Sequence, residues 1–300
     1  LLDFSDIFRQ KEHMKIIDGK ALAASMREKL KEKVATFGEP ITLAVVLAGE
    51  NPASQVYVRN KAKACAEAGI RSITRLLPEN CTQEELDAEL DNLAADETVN
   101  GILLQLPLPA HLNERAALKK IPVEKDVDGF SEENVGLLAA NRGGIAACTP
   151  LGVMKMLEYA GVSPCGKHAV VIGRSNTVGR PMALLLLNAD ATVTICHSKT
   201  RDLKEICREA DILIAAIGRK KFVTADMVKE GATVIDVGIN RDENGKLCGD
   251  VDFENVSKKA YAISPVPGGV GPMTITMLMY NTFLAAENQK ARREERKAKK

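Results

Sequence analysis

His168-Ala169-Val170-Val171-Ile172-Gly173-Arg174-Ser175-Asn176-Thr177-Val178-Gly179-Arg180-Pro181 is the stretch that decides the fold. A short apolar run enters a glycine, and a second glycine opens a helical pattern. Strand, glycine turn and helix start are the parts of a dinucleotide site. Backbone N–H groups at the helix N-terminus face an anion there, and the helix dipole favours negative charge. The spacing is G-x-S-x-x-x-G rather than G-x-G-x-x-G, so the loop alone also reads as a plain strand-to-helix turn. The next strand, Val193–Cys196, ends in His197-Ser198-Lys199-Thr200-Arg201 without an acid. Enzymes preferring NAD usually carry Asp or Glu about 20 residues on, to bind a ribose hydroxyl. With Arg174 beside the loop, the pattern favours a 2′-phosphate and hence NADP, unless these basic side chains are merely solvated.

Outward from the loop, strands follow at Ile212–Ile217 and Thr233–Val237. Upstream, Thr149 is placed to cap a helix with Pro150 at its first position and Gly161 at its end. Short apolar strands alternating with helices predict a doubly wound α/β sheet. The first half repeats the theme. Leu22, Met26, Leu30 and Val34 recur every four residues, the spacing of an amphipathic helix. Ile41–Ala48 is a continuous apolar run of the kind buried on both faces of a parallel sheet. Ser54 is expected to cap a helix stopped by Gly69. Arg71–Leu77 reads as a strand, Thr82 and Glu85 as a capping box, and Gly101–Leu106 as a third strand ended by Pro107. The order β-α-β-α-β implies parallel strands joined by right-handed crossovers. The predicted fold class is therefore α/β, with two parallel-sheet domains, the second Rossmann-like.

Composition narrows the function. A chain of 300 residues suits two domains. A net charge of +1 gives no reason to expect nucleic acid or an anionic membrane. No apolar run approaches the roughly 20 residues that span a bilayer. Seven scattered cysteines without a C-x-x-C pair argue for free thiols in a reducing compartment. The four histidines form no spaced pair with cysteine or carboxylate, so no metal site is expected. These features point to a cytoplasmic location. Residues 1–13 read as a tag, a processing remnant or a disordered arm. Thr274 to about Gln289 has helical composition, and the ARREERKAKK end reads as a solvated or frayed terminus.

Four further stretches invite chemistry. Tyr57 and Lys61 lie four apart on one helix face, where a ring could stack on a flat ligand and an ammonium reach past it. By themselves they also read as an ordinary amphipathic pair. Lys125-Asp126-Val127-Asp128-Gly129 is either a simple turn or a carboxylate placed to accept parallel N–H bonds from a heterocycle edge. Gln105 stands at the carboxyl end of a buried strand, where parallel sheets bind ligands; a satisfied buried amide is the other reading. Pro265-Val266-Pro267-Gly268-Gly269-Val270-Gly271-Pro272-Met273-Thr274 cannot continue a helix or central strand. It offers bare backbone to a ligand, or makes an interdomain turn.

Taken in order from residue 15 to about 285, these stretches resemble the bifunctional 5,10-methylenetetrahydrofolate dehydrogenase/5,10-methenyltetrahydrofolate cyclohydrolase family. Gly49–Ser54, Cys148-Thr149-Pro150, Val234–Asn240 and Gly249-Asp250-Val251 carry the resemblance as well. It implies a folate domain of residues 14–147 plus the helix 274–300, an NADP domain of residues 148–273, and a cleft between them. It also implies a homodimer. Lys61 would be the main catalytic residue, supported by Gln105, with Tyr57 stacking on the folate and Asp128 gripping the pterin. Pro267, Gly268, Gly269 and Val270 would line the folate pocket. Arg174, Ser175 and Ser198 would hold cofactor phosphates, and Thr149 and Ile239 the nicotinamide end. Gly173, Gly179, His197 and Gly238 complete the cofactor set. The implied reactions are NADP-dependent oxidation of the methylene carbon and hydrolysis to 10-formyltetrahydrofolate. A dehydrogenase acting on another small substrate and a silent nucleotide-binding scaffold are the competing classes. The company of Tyr57, Lys61, Gln105 and Asp128 argues against the first, and an intact Lys61 and glycine loop against the second.

Overall fold

The computed structural model describes residues 15–298; the reading of residues 1–13 lies outside them. Two compact units emerge. Ser25–Cys148 with 275–298 form one, and 15–24 with Thr149–Thr274 form the other.

The first unit is built on three parallel strands in the order Arg71–Leu77, Thr42–Ala48, Gly101–Leu104. The middle strand is buried along its whole length, which is why its sequence shows no polar alternation. Ala44, Val46, Ile102 and Leu104 pack on Leu86, Leu90 and Leu93. Those three leucines line the inner face of the Gln83–Ala95 helix, whose Thr82–Glu85 capping box forms as the sequence predicts. The C-terminal helix, Val270–Ala298, is fastened to this unit through its last turns. Gln289 Nε2 donates to the Asn100 and Glu124 carbonyls, both at 2.9 Å. Lys290 donates to the Phe37 carbonyl at 3.0 Å and lies 4.7 Å from that ring. Arg293 meets Glu39 at 2.7 Å. Of the basic end, read in the sequence as solvated or frayed, the described part is helical to Ala298 and almost wholly exposed, with Arg293 paired, so the solvated reading holds.

The second unit is a six-stranded parallel sheet ordered Lys15–Ile16, Ala262–Ile263, Thr233–Asp236, Ile212–Ala215, His168–Ile172, Thr192–Cys196. Its core sets Val170, Ile172, Leu213, Ala215, Val234 and Ile263 against Val223, Val228 and Val256. A small hairpin, Asn240–Arg241 with Leu247–Cys248, projects after the Thr233–Asp236 strand. The sequence assigns residues 14–24 to the first domain. Lys15 and Ile16 instead add an edge strand to this sheet, beside Ala262 and Ile263. A two-residue strand leaves too little pattern to be read.

Two predicted helix caps are replaced. The Pro52–Ala68 helix begins before Ser54, and the Asn51 side chain accepts from the Ser54 N–H at 3.2 Å. Asn followed by Pro at the first helical position is the stronger start signal. Thr149 lies inside the Cys148–Tyr159 helix, and its hydroxyl meets that of Thr274 at 2.9 Å instead of capping.

Candidate functional site

Lys61 and Gln105 are joined by the topology of the first unit. The helix bearing Lys61 follows the middle strand, and Gln105 follows the neighbouring strand, with its N–H still bonded to the Val46 carbonyl at 2.8 Å. Lys61 Nζ donates to Gln105 Oε1 at 3.0 Å. Gln105 Nε2 donates to the Leu106 carbonyl at 2.7 Å. That second bond fixes the amide so that only its oxygen can face the lysine. Tyr57 stands one turn before Lys61 on the same helix and is 42% exposed, free to meet a flat ligand.

The two aspartates of the acid loop divide their work. Asp126 is buried and accepts from the N–H groups of Gly129, Phe130 and Ser131 and from Asn134 Nδ2, at 2.8–3.2 Å. It shapes the loop. Asp128 is half-buried and keeps its carboxylate clear of such bonds. Burial pushes its carboxyl above the usual range, and the nearby Lys61 charge pulls the other way. Behind it, Cys148 Sγ lies 3.3 Å from the Val127 carbonyl and 3.7 Å from Asp128 Oδ1. Burial foremost, with Asp128 beside it, raises the Cys148 thiol well above its ordinary value, so it stays a neutral donor. Asn281 completes the support, its Nδ2 donating to the carbonyls of Val127 at 2.8 Å and Ala146 at 2.9 Å. Sequence reasoning missed Cys148 and Asn281 as site residues. An asparagine directly after the run Met277-Leu278-Met279-Tyr280, in a helix whose apolar residues continue at Phe283, was the available signal.

In the second unit the phosphate loop is tightly built. Gly173 has φ +128°, and a Cβ there would lie 2.3 Å from the Ala216 carbonyl oxygen. A Cβ on Gly179 would lie 2.2 Å from the Gly173 oxygen. Both glycines are therefore required by close backbone approach. Ser175 Oγ accepts from the N–H groups of Val178 at 3.1 Å and Gly179 at 3.3 Å, so it organises the start of the Gly179–Asn188 helix. Gly173, Arg174, His197 and Ser198 line a 310 Å³ cavity with Ile217, Arg219 and Phe222. Two arginines, a flat apolar wall and no carboxylate make a donor set suited to a phosphorylated nucleotide. Arg219 and Phe222, whose ring lies 4.5 Å from the guanidinium, were not singled out in the sequence.

Gly238 and Ile239 lie just past the Thr233–Asp236 strand. The Gly238 N–H donates to Asp236 Oδ1 at 3.0 Å, and Ile239 is 52% exposed. Thr149 is paired with Thr274, as described. Pro267, Gly268, Gly269 and Val270 form the turn into the C-terminal helix, with a cis Val266–Pro267 bond and Gly268 at φ +99°. The Lys20 N–H donates to the Gly268 carbonyl at 2.9 Å, and a Cβ on Gly19 would lie 2.0 Å from the Gly269 oxygen. Among the described residues no group of three or more His, Cys, Asp or Glu is placed to hold a metal ion. No helix among them is long and apolar enough to cross a membrane.

Both units match known proteins. Residues 17–128 match the family model described as tetrahydrofolate dehydrogenase/cyclohydrolase, catalytic domain. Residues 147–290 match its NAD(P)-binding domain. "Bifunctional protein FolD" of Campylobacter curvus is 56% identical over 279 residues, 92% of this chain and 97% of that protein. The crystal structure of the bifunctional enzyme FolD from Campylobacter jejuni superposes with a TM-score of 0.91 at 54% identity, covering 92% of this chain and all of that one. The Trypanosoma brucei enzyme, complexed with NADP cofactor and inhibitor, gives 0.88 at 42% identity over 93% of this chain and 99% of that one. With both family models matched in order across two α/β units, this chain belongs to the tetrahydrofolate dehydrogenase/cyclohydrolase family.

Proposed function

We propose that this protein oxidises 5,10-methylenetetrahydrofolate with NADP⁺ and hydrolyses the methenyl product to 10-formyltetrahydrofolate. The observation that carries the proposal is the Lys61–Gln105 bond at 3.0 Å, formed close enough to Asp128 for the lysine charge to act on that carboxyl.

Asp128 holds the pterin, whose ring N–H and amino group offer two parallel donors to one carboxylate. Tyr57 stacks on the folate. The turn at Pro267, Gly268, Gly269 and Val270 presents backbone to it. Arg174 and Ser198 hold the cofactor phosphates, with Gly173, Ser175, Gly179 and His197 shaping that end. Thr149, Gly238 and Ile239 serve the nicotinamide end. The bound nicotinamide supplies a hydride acceptor. Positioning accounts for most of that step, which needs no strong acid or base from the protein.

Hydrolysis is the step that needs proton transfer. Water adds to the methenyl carbon, the bond from that carbon to N5 breaks, N5 gains a hydrogen, and one proton leaves. Lys61 relays these protons, a contribution typically of about 10² to 10⁴-fold. Gln105 holds the ammonium in place between transfers. The absence of an acid among the cavity residues, with Arg174 and Arg219 present, supports NADP over NAD. The protein acts as a homodimer in the cytoplasm, the first of which light scattering on the purified protein tests.

The experiment mixes the protein with 5,10-methylenetetrahydrofolate and either NADP⁺ or NAD⁺, following reduced cofactor and 10-formyltetrahydrofolate separately. Both products with a preference for NADP⁺ support the proposal. Reduced cofactor with accumulating methenyl compound removes the role given to Lys61, and no reaction removes the proposal.

A further inference from the structure

Asp250 is fully buried, yet its carboxylate accepts four N–H bonds. Oδ2 takes those of Ile217 at 2.7 Å and Gly218 at 3.0 Å. Oδ1 takes the Arg219 N–H at 2.7 Å and Asn240 Nδ2 at 2.9 Å. Three successive amides converging on one carboxylate define a concave turn, which Gly218 completes at φ +64°. Ile217 and Arg219 are walls of the cavity that also holds Arg174, His197 and Ser198.

A second carboxylate locks the first. Asp236 accepts from the N–H groups of Asp250 and Val251, both at 2.9 Å, and of Gly238 at 3.0 Å. The fit has no slack. A Cβ on Gly249 would lie 1.8 Å from Asp236 Oδ2, and one on Gly238 2.2 Å from the Asp250 carboxyl. Burying a carboxylate is costly, and an apolar side chain of like size would fill the space at lower cost. What only the carboxylate does is orient three consecutive N–H groups at once. The residue it orients most directly, Arg219, faces the nucleotide cavity.

We propose that Asp250 is a positioning residue for the cofactor, holding the 217–219 turn as one wall of the nucleotide cavity. The inference rests on the reading of that cavity as the NADP site.

The test is calorimetric titration of NADP⁺ into the full-length protein and two variants. Cofactor-free hydrolysis of 5,10-methenyltetrahydrofolate serves as the control for folding. Asp250→Asn would point an amide NH₂ at the N–H donors, so the NADP⁺ Kd is expected to rise at least about tenfold, with hydrolysis within about twofold of wild type. An unchanged Kd with hydrolysis retained overturns the proposal. If Asp250→Asn loses both hydrolysis and cooperative melting, Gly218→Ala decides by the same criteria. Its added methyl meets nothing within 4 Å but strains the turn at φ +64°. A purely structural role would lower the melting temperature of either variant without moving the Kd. Wild-type protein that binds no NADP⁺ removes the cofactor reading of the cavity, and the inference with it.

Discussion

Gln105 accepts from Lys61 with its oxygen at 3.0 Å while its nitrogen is held by the Leu106 carbonyl at 2.7 Å, so the lysine faces an amide that cannot turn over. Lys61→Met is expected to lower methenyl hydrolysis by about 10² to 10⁴-fold while leaving the NADP⁺ Kd unchanged. Following loss of the methenyl chromophore in the variant checks this, and an unaltered rate would remove Lys61 from the mechanism.

Asp128 presents its carboxylate free of backbone bonds, unlike Asp126. Asp128→Asn should raise the folate KM by about 10 to 100-fold, the loss expected for a charge-assisted bidentate contact. Asp126→Asn should lower the melting temperature instead. Steady-state kinetics and a thermal melt on both variants separate the two roles.

Arg174 stands in a cavity with Ser198 and without a carboxylate. Replacing it with Ala should weaken NADP⁺ binding by about 10 to 100-fold and leave NAD⁺ binding within about twofold. Parallel titrations with the two cofactors read the ratio. Equal losses would place Arg174 away from the 2′-phosphate.

The Asp236 carboxyl is pushed up to about 7, first by burial, against the N–H groups of Val251, Asp250 and Gly238. The folded state thus binds this proton more tightly than the unfolded chain. The resulting stability is fully present below about pH 4 and is lost as pH rises toward 7, at up to about 1.4 kcal/mol per pH unit. Urea unfolding of wild type across this window should show the slope, and Asp236→Asn should flatten it. An equal slope in both proteins would assign the pH dependence to other groups.

The long strands and the glycine loop were legible because they obey strong local rules. Leu43–Ala48 is apolar on both faces, and Gly173 and Gly179 sit where no side chain fits. Lys61, Gln105 and Asp128 were ambiguous one at a time, and only their order along the chain gave them meaning. What the sequence hid is what long-range contact creates. Lys15 and Ile16 become a strand only because Ala262 and Ile263 offer them an edge. Cys148 and Asn281 meet at Val127 through residues far apart in sequence. Asp250 looked like part of a motif, and nothing local shows that its four donors come from Ile217, Gly218, Arg219 and Asn240.

Asn281 reaches back 154 positions to the Val127 carbonyl, beside Asp128. During synthesis, therefore, the ribosome makes nearly all of the nucleotide-binding unit, up to Gly269, before it makes the helix that steadies the pterin-binding loop. A nascent chain halted before Val270 would carry Lys61, Gln105 and Asp128 without their closing element. The order of translation thus delays completion of the folate-binding unit until the Val270–Ala298 helix emerges, whatever the speed at which its first half collapses.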